Sequence, residues 1–110
     1  MNINDAIIFN LPADVERISA LEPNTLVYLC GAVYTARDQA HKRITEALAS
    51  GSKLPFDPKN AAIYYCGPTP APKGRVIGSC GPTTSGRMDK YAPMLIENGV
   101  TVMIGKGVRN

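Results

Sequence analysis

The sequence predicts an α/β domain, a mixed sheet with helices packed on it, over residues 1–110. Three observations carry this. Short strand-like apolar runs alternate along the chain with stretches of helical periodicity. Gly- and Pro-rich segments punctuate them, and no internal repeat or linker divides the chain. A chain of 110 residues, 45% apolar and 19% charged, suits a single core of ordinary composition.

The elements follow in order. Ala6 to Phe9 reads as a short strand, Ala13 to Leu21 as a short helix after Pro12, and Thr25 to Thr35 as a strand or bent pair of strands. A helix from about Arg37 to Ser50 presents Ala40, Ile44, Ala47 and Leu48 on one face and ends at Gly51, a favoured C-cap residue. Lys53 to Asn60, with Pro55 and Pro58, is a loop into the strand Ala61 to Cys66. The prolines at 68, 70 and 72 keep the next segment irregular, because each removes a backbone donor and fixes φ. Arg75 to Cys80 then reads as a strand, Gly86 to Glu97 as a helix, and Thr101 to Ile104 as a last strand after the turn at Asn98-Gly99.

Composition excludes several functions. The net charge of +3 is spread over single lysines and arginines, and there is no Trp, so the basic stripe with aromatic platforms that nucleic acid needs is missing. No apolar run approaches the roughly 20 residues of a membrane span, and Met1-Asn2-Ile3-Asn4-Asp5 lacks a basic leader, which points to the cytoplasm. Cys30, Cys66 and Cys80 form no Cys-x-x-Cys pair, and their odd number argues against a complete disulfide framework.

The run Gly81-Pro82-Thr83-Thr84-Ser85-Gly86-Arg87-Met88-Asp89-Lys90 carries the chemistry. Its hydroxyls are preferred N-cap groups, and Met88, Tyr91, Ala92 and Leu95 continue as a helical face, so Arg87 falls in a first turn. Acids are favoured there; an arginine at that position suggests an anion held by the fork and the helix N-terminus together. A surface arginine paired with Asp89 is the alternative account. The run Gly31 to His41 repeats the pattern, with Thr35 and Asp38 at capping-box-like spacing and Arg37 in the first turn. Two such arginines behind two strand-like runs suggest one anion with two negative ends, a dicarboxylate.

These two runs, with Ile63-Tyr64-Tyr65-Cys66-Gly67-Pro68 between them and Met103-Ile104-Gly105-Lys106-Gly107 after them, resemble the beta region of class I, iron-sulfur-dependent fumarate hydratases and the related L-tartrate dehydratases. The resemblance runs from about Leu26 to Gly107. It implies a swivelling β/β/α three-layer domain, shortened at its C-terminus because such regions normally continue past the Ile-Gly-Lys-Gly run. It implies a beta component of a hydro-lyase that reversibly hydrates fumarate to malate beside an alpha subunit, in a higher oligomer. It places a [4Fe-4S] cluster on the alpha subunit, whose open iron acts as a Lewis acid, and no cofactor or metal on this chain. The three cysteines are then small buried thiols.

Residue by residue, the resemblance carries substrate binding to Arg37, Thr83, Arg87 and Lys106, with catalytic roles for Thr83 and Lys106. The motif around Arg37 reads Thr-Ala-Arg-Asp where the family has Thr-Gly-Arg-Asp. The arginines would grip carboxylates, and Lys106 would stabilise the enolate-like carbanion formed next to a carboxylate. Thr83 is a poor base at its normal pKa and needs an acidic partner for proton transfer. His41 is read as a helix-surface or partner-facing residue, or as one that orients Arg37 a helical turn away. L-tartrate dehydration, and a non-catalytic dicarboxylate-binding or assembly module, are the competing readings.

Overall fold

In the computed structural model, which describes residues 6–109, all five strands pair in parallel and divide between two sheets. Strands β1 (Ile7–Leu11) and β2 (Val27–Gly31) form one, with Ile7 opposite Val27 and Leu11 opposite Gly31. Strands β3 (Tyr34–Thr35), β4 (Ala62–Tyr64) and β5 (Val102–Ile104) form the other in the order β3-β4-β5. Thr25 to Thr35 is therefore a bent pair of strands belonging to different sheets. The expected mixed sheet is corrected: no strand pair among the described residues is antiparallel. Parallel neighbours need crossovers. The chain from β3 to β4 passes through helix α2 (Asp38–Ser50), and the chain from β4 to β5 through helix α3 (Ala92–Glu97).

Strand β4 is central because its side chains are apolar on both faces. Ala62 and Ile63 are buried, as is Tyr65 just beyond, and Ile63 and Tyr65 pack with Ala36, Ile44, Met88, Leu95 and Val100. Parallel strands covered on both sides read as continuous apolar runs, and Ala61 to Tyr65 does. Helix α2 closes on this core through Ile44, with Ala40 and Leu48 beside it. It ends in a Schellman motif: Gly51 adopts φ +73°, its N–H donates to Leu48 O, and Ser52 N–H donates to Ala47 O.

Two further expectations are corrected. The helix expected over Gly86 to Glu97 is broken into a 3₁₀ turn (Ser85–Met88) and α3. Pro93 lies in the first turn of α3 and lacks the N–H that an unbroken helix would direct to the carbonyl of Asp89. The apolar face survives the break, with Met88, Ala92 and Leu95 buried. The strand expected over Arg75 to Cys80 is absent. Val76 and Ile77 project into solvent, and the segment is tied back on the proline-rich loop by Thr69 N–H to Ser79 O and Ser79 N–H to Thr69 Oγ1. The short helix α1 (Val15–Ile18) occupies the middle of the stretch expected to be helical.

His41 is not on the surface. It is fully buried, and its Nδ1–H donates to the carbonyl oxygen of Arg37 at 2.9 Å, which that oxygen also accepts from the His41 backbone N–H. Its ring packs edge-on to Tyr65 and near Tyr91. Burial pushes its pKa below the usual 6.5, against the opposing pull of the Arg37 carbonyl and Asp38, with Arg109 lowering it further. The unfolded chain therefore binds a proton that the native chain refuses, and stability contributed by neutral His41 falls as pH drops through about 6.5. Thermal unfolding between pH 8 and pH 5 should show this as a falling Tm, with a shallower slope in His41→Gln.

Candidate functional site

The four predicted residues lie on segments that leave the carboxyl ends of β3, β4 and β5. This is the edge at which open α/β sheets bind ligands. Arg37 follows β3 by two residues, and Lys106 follows β5 by two. Between them the sheet opens. Tyr65 N–H donates to Ile104 O, but the Tyr65 carbonyl accepts from Thr83 N–H at 2.7 Å, so the segment 83–85 enters beside β4. It pairs with the chain after β5 as a parallel bridge, with Lys106 N–H on Thr83 O and Ser85 N–H on Lys106 O at 2.7 Å. Thr83 and Lys106 are thus fixed to each other by backbone hydrogen bonds, 23 positions apart in sequence (106 minus 83).

Arg37 and Arg87 are brought to the same corner by Asp38. Arg87 Nη2 donates to Asp38 Oδ2 at 2.6 Å, although the two lie 49 positions apart. The alternative account, a local pairing of Arg87 with Asp89, does not form among the described residues: Asp89 accepts from Arg109 Nε at 2.8 Å. Arg37 is itself the N-terminal boundary residue of α2, with no side-chain cap, so the capping box of Thr35 and Asp38 does not form. Its guanidinium lies close against Gly67, where a Cβ would come within 2.6 Å of Arg37 Cζ. That glycine has a negative φ and no turn to serve; it is open because the arginine occupies the space.

The electrostatics differ from the expected ones in one respect. Arg87 sits in a 3₁₀ turn and not in the first turn of an α-helix, and the hydroxyls of Thr83, Thr84 and Ser85 make no capping bond. Positive charge at this edge therefore comes from side chains and not from a helix dipole at residue 87. Arg37, Arg87 and Lys106 are exposed, whereas Thr83 is half-buried. A cleft of about 270 Å³ at this corner is lined by residues 35–40, Cys66, Gly67 and Pro68. A larger, mostly apolar cleft of about 900 Å³ lies between α2 and the loop at 53–56 and includes none of the four predicted residues. Volume favours the second, but ligand chemistry favours the first, because only there do an arginine fork and a glycine-lined wall meet.

Sequence reasoning missed Asp38 as the residue that draws Arg87 to α2, and Gly67 as the floor under Arg37. The first has no local signal, since the partners are far apart in sequence. The second was visible in Cys66-Gly67-Pro68, where a glycine precedes a loop and leaves a gap for a neighbouring side chain.

The chain is an α/β domain that presents Arg37, Thr83, Arg87 and Lys106 on segments at the carboxyl edge of a parallel sheet, with Arg37 alone of the four lining the smaller cleft. Residues 3–110 match the family model described as Fumarase C-terminus, and the chain belongs to that family. It is 38% identical to fumarate hydratase 1, mitochondrial, of Leishmania major, over 96% of this chain and 20% of that protein. Against fumarate hydratase class I, anaerobic, of Escherichia coli strain K12, it is 39% identical, over 86% of this chain and 17% of the relative. Against L(+)-tartrate dehydratase subunit beta of Shigella sonnei, it is 33% identical, over 91% of this chain and 50% of the relative. The chain thus spans half or less of the length of these relatives.

Proposed function

We propose that the chain is the beta component of an iron-sulfur hydro-lyase, a single swivelling β/β/α domain that brings carboxylate-binding residues to a site shared with an alpha subunit. The observation that carries this reading is the convergence of the Arg37, Thr83, Arg87 and Lys106 segments on one sheet edge. Two sheets with helices against them are compatible with three layers. Reversible hydration of fumarate to malate is the reaction in this reading, and identities of 33% to 41% to relatives of both kinds do not separate it from L-tartrate dehydration.

In this reading Arg37 takes one carboxylate from its bed on Gly67, and Arg87 takes the other while sharing its charge with Asp38. Lys106, held to Thr83 through the backbone, neutralises charge that develops when a proton leaves the carbon beside a carboxylate. Thr83 orients the substrate through its hydroxyl and moves a proton only if an acidic group from the partner reaches it. This chain's own donors do not fit a cluster. Among the described residues no group of three or more His, Cys, Asp or Glu is placed to hold a metal. In this reading the [4Fe-4S] cluster sits on the alpha subunit, as the family resemblance implies. No helix among the described residues is long and apolar enough to cross a membrane.

The test is co-expression with an alpha subunit, anaerobic cluster reconstitution, and turnover of fumarate, malate and L-tartrate. Arg87→Ala should lower kcat/KM about tenfold to a hundredfold, the worth of one charge-assisted contact of about 1.5–3 kcal/mol. A stable complex without turnover would favour the dicarboxylate-binding or assembly module. Faster turnover of tartrate than of fumarate would reassign the substrate.

A further inference from the structure

The two cysteines that flank the proline-rich loop stand together. Cys66 Sγ and Cys80 Sγ are 3.0 Å apart, and both are free thiols. The loop between them is closed at its stem by three independent hydrogen bonds: Tyr64 OH to Cys80 O at 2.7 Å, Thr69 N–H to Ser79 O at 2.9 Å, and Ser79 N–H to Thr69 Oγ1 at 2.8 Å. The thiols are thus held in register by contacts that do not involve sulfur. A bond between them needs an approach of about 1 Å, which is within the reach of side-chain rotation. Cys30, on β2, makes no such contact among the described residues.

We propose that Cys66 and Cys80 form a redox-active thiol pair, a modification site that takes up hydrogen peroxide and closes to a disulfide across the base of the loop. The two thiols differ in access. Cys66 is buried, whereas Cys80 is half-exposed. Burial, followed by the hydrogen bond and charge of Cys80, pushes the Cys66 thiol up to about 11, with Arg37 pulling the other way, so Cys66 waits as a protonated thiol. The Cys80 thiolate attacks one peroxide oxygen, the O–O bond breaks and hydroxide leaves, giving a sulfenic acid. Cys66 then gives its proton to the departing sulfenic oxygen as its sulfur bonds Cys80 Sγ, and that oxygen leaves as water. Two thiols lose two electrons and two protons, and one peroxide becomes two waters. The link would pin Gly67, the bed of Arg37, to the segment that leads through Gly81-Pro82 into Thr83.

The experiment needs neither a partner nor turnover, so its failure is separate from that of the proposed activity. The folded chain is treated with hydrogen peroxide, alkylated and examined by intact mass and peptide mapping, alongside Cys30→Ser and the same chain in urea. Expected are a loss of two hydrogens, a fall from three alkylatable thiols to one, and a Cys66–Cys80 peptide that a dithiol reductant restores. Positioned groups react far faster than free ones, so linkage should be roughly tenfold or more faster in the folded chain than in urea. Cys30→Ser should behave as the parent does. Addition of oxygen to Cys80 without a link, a link through Cys30, no reaction, or equal rates in urea would each overturn the proposal.

Discussion

Replacing Arg37 by alanine should lower kcat/KM about a hundredfold in the complex with an alpha subunit, more than the loss expected for Arg87→Ala. Among the described residues Arg37 makes no ion pair, so its full charge is available to a ligand, whereas Arg87 already spends part of its charge on Asp38. A bidentate contact to a carboxylate is worth about 3 kcal/mol at the upper end, which is roughly two decades in rate. Gly67→Ala should reproduce much of this loss with the arginine itself retained. The new methyl would meet the guanidinium of a flexible side chain and not backbone, so the arginine moves and the fold does not. Steady-state kinetics and thermal unfolding on one preparation check both halves. An unchanged kcat/KM in Gly67→Ala would show that the bed of Arg37 has no role in binding.

The same substitution at Gly31 should have the opposite signature, a large loss of stability. Gly31 has φ +98°, which L side chains rarely adopt, and it sits opposite Leu11 at the end of the β1–β2 pair. A Cβ there would collide with the Leu11 carbonyl oxygen and come within 2.9 Å of Leu11 N, and neither atom can rotate away. Left-handed strain and overpacking together cost about 2–4 kcal/mol. For a domain of this size that is a fall in Tm of roughly 10 °C or more. A Tm within about 2 °C of the parent would mean that the two strands slide to make room, against the five residue pairs that hold them in register.

Much of the fold was legible because its signals are local. The 3.6-residue spacing of Ala40, Ile44 and Leu48 and the terminal Gly51 defined α2 nearly to the residue, and the apolar run at 61–66 located the central strand. The misread elements are those whose form depends on distant partners. Arg75 to Cys80 has strand-like residues but no strand beside it, and its apolar side chains stay in water. Pro93 divided a continuous apolar pattern, because periodicity registers which face is buried but not whether every backbone donor exists. At the site, the cation positions along the chain were visible from motifs, while the Asp38–Arg87 link and the burial of His41 depend on how α2 packs against the 3₁₀ turn. A lone histidine on an otherwise polar helical turn gives no sign in sequence that Tyr65 and Tyr91 will enclose it.

The exposure of Arg37, Arg87 and Lys106 sets how strongly this edge can hold anything. Facing bulk water, two unit charges at 4 Å attract by only about 1 kcal/mol, and at physiological salt the field fades over about 8 Å. With water excluded from one side, the effective dielectric drops toward 20 and the same pair gains about fourfold, with no side chain moved. The affinity of this edge for a dianion is therefore a property of its cover as much as of its arginines. On the isolated chain, binding of a dicarboxylate should be weak and steeply salt-dependent.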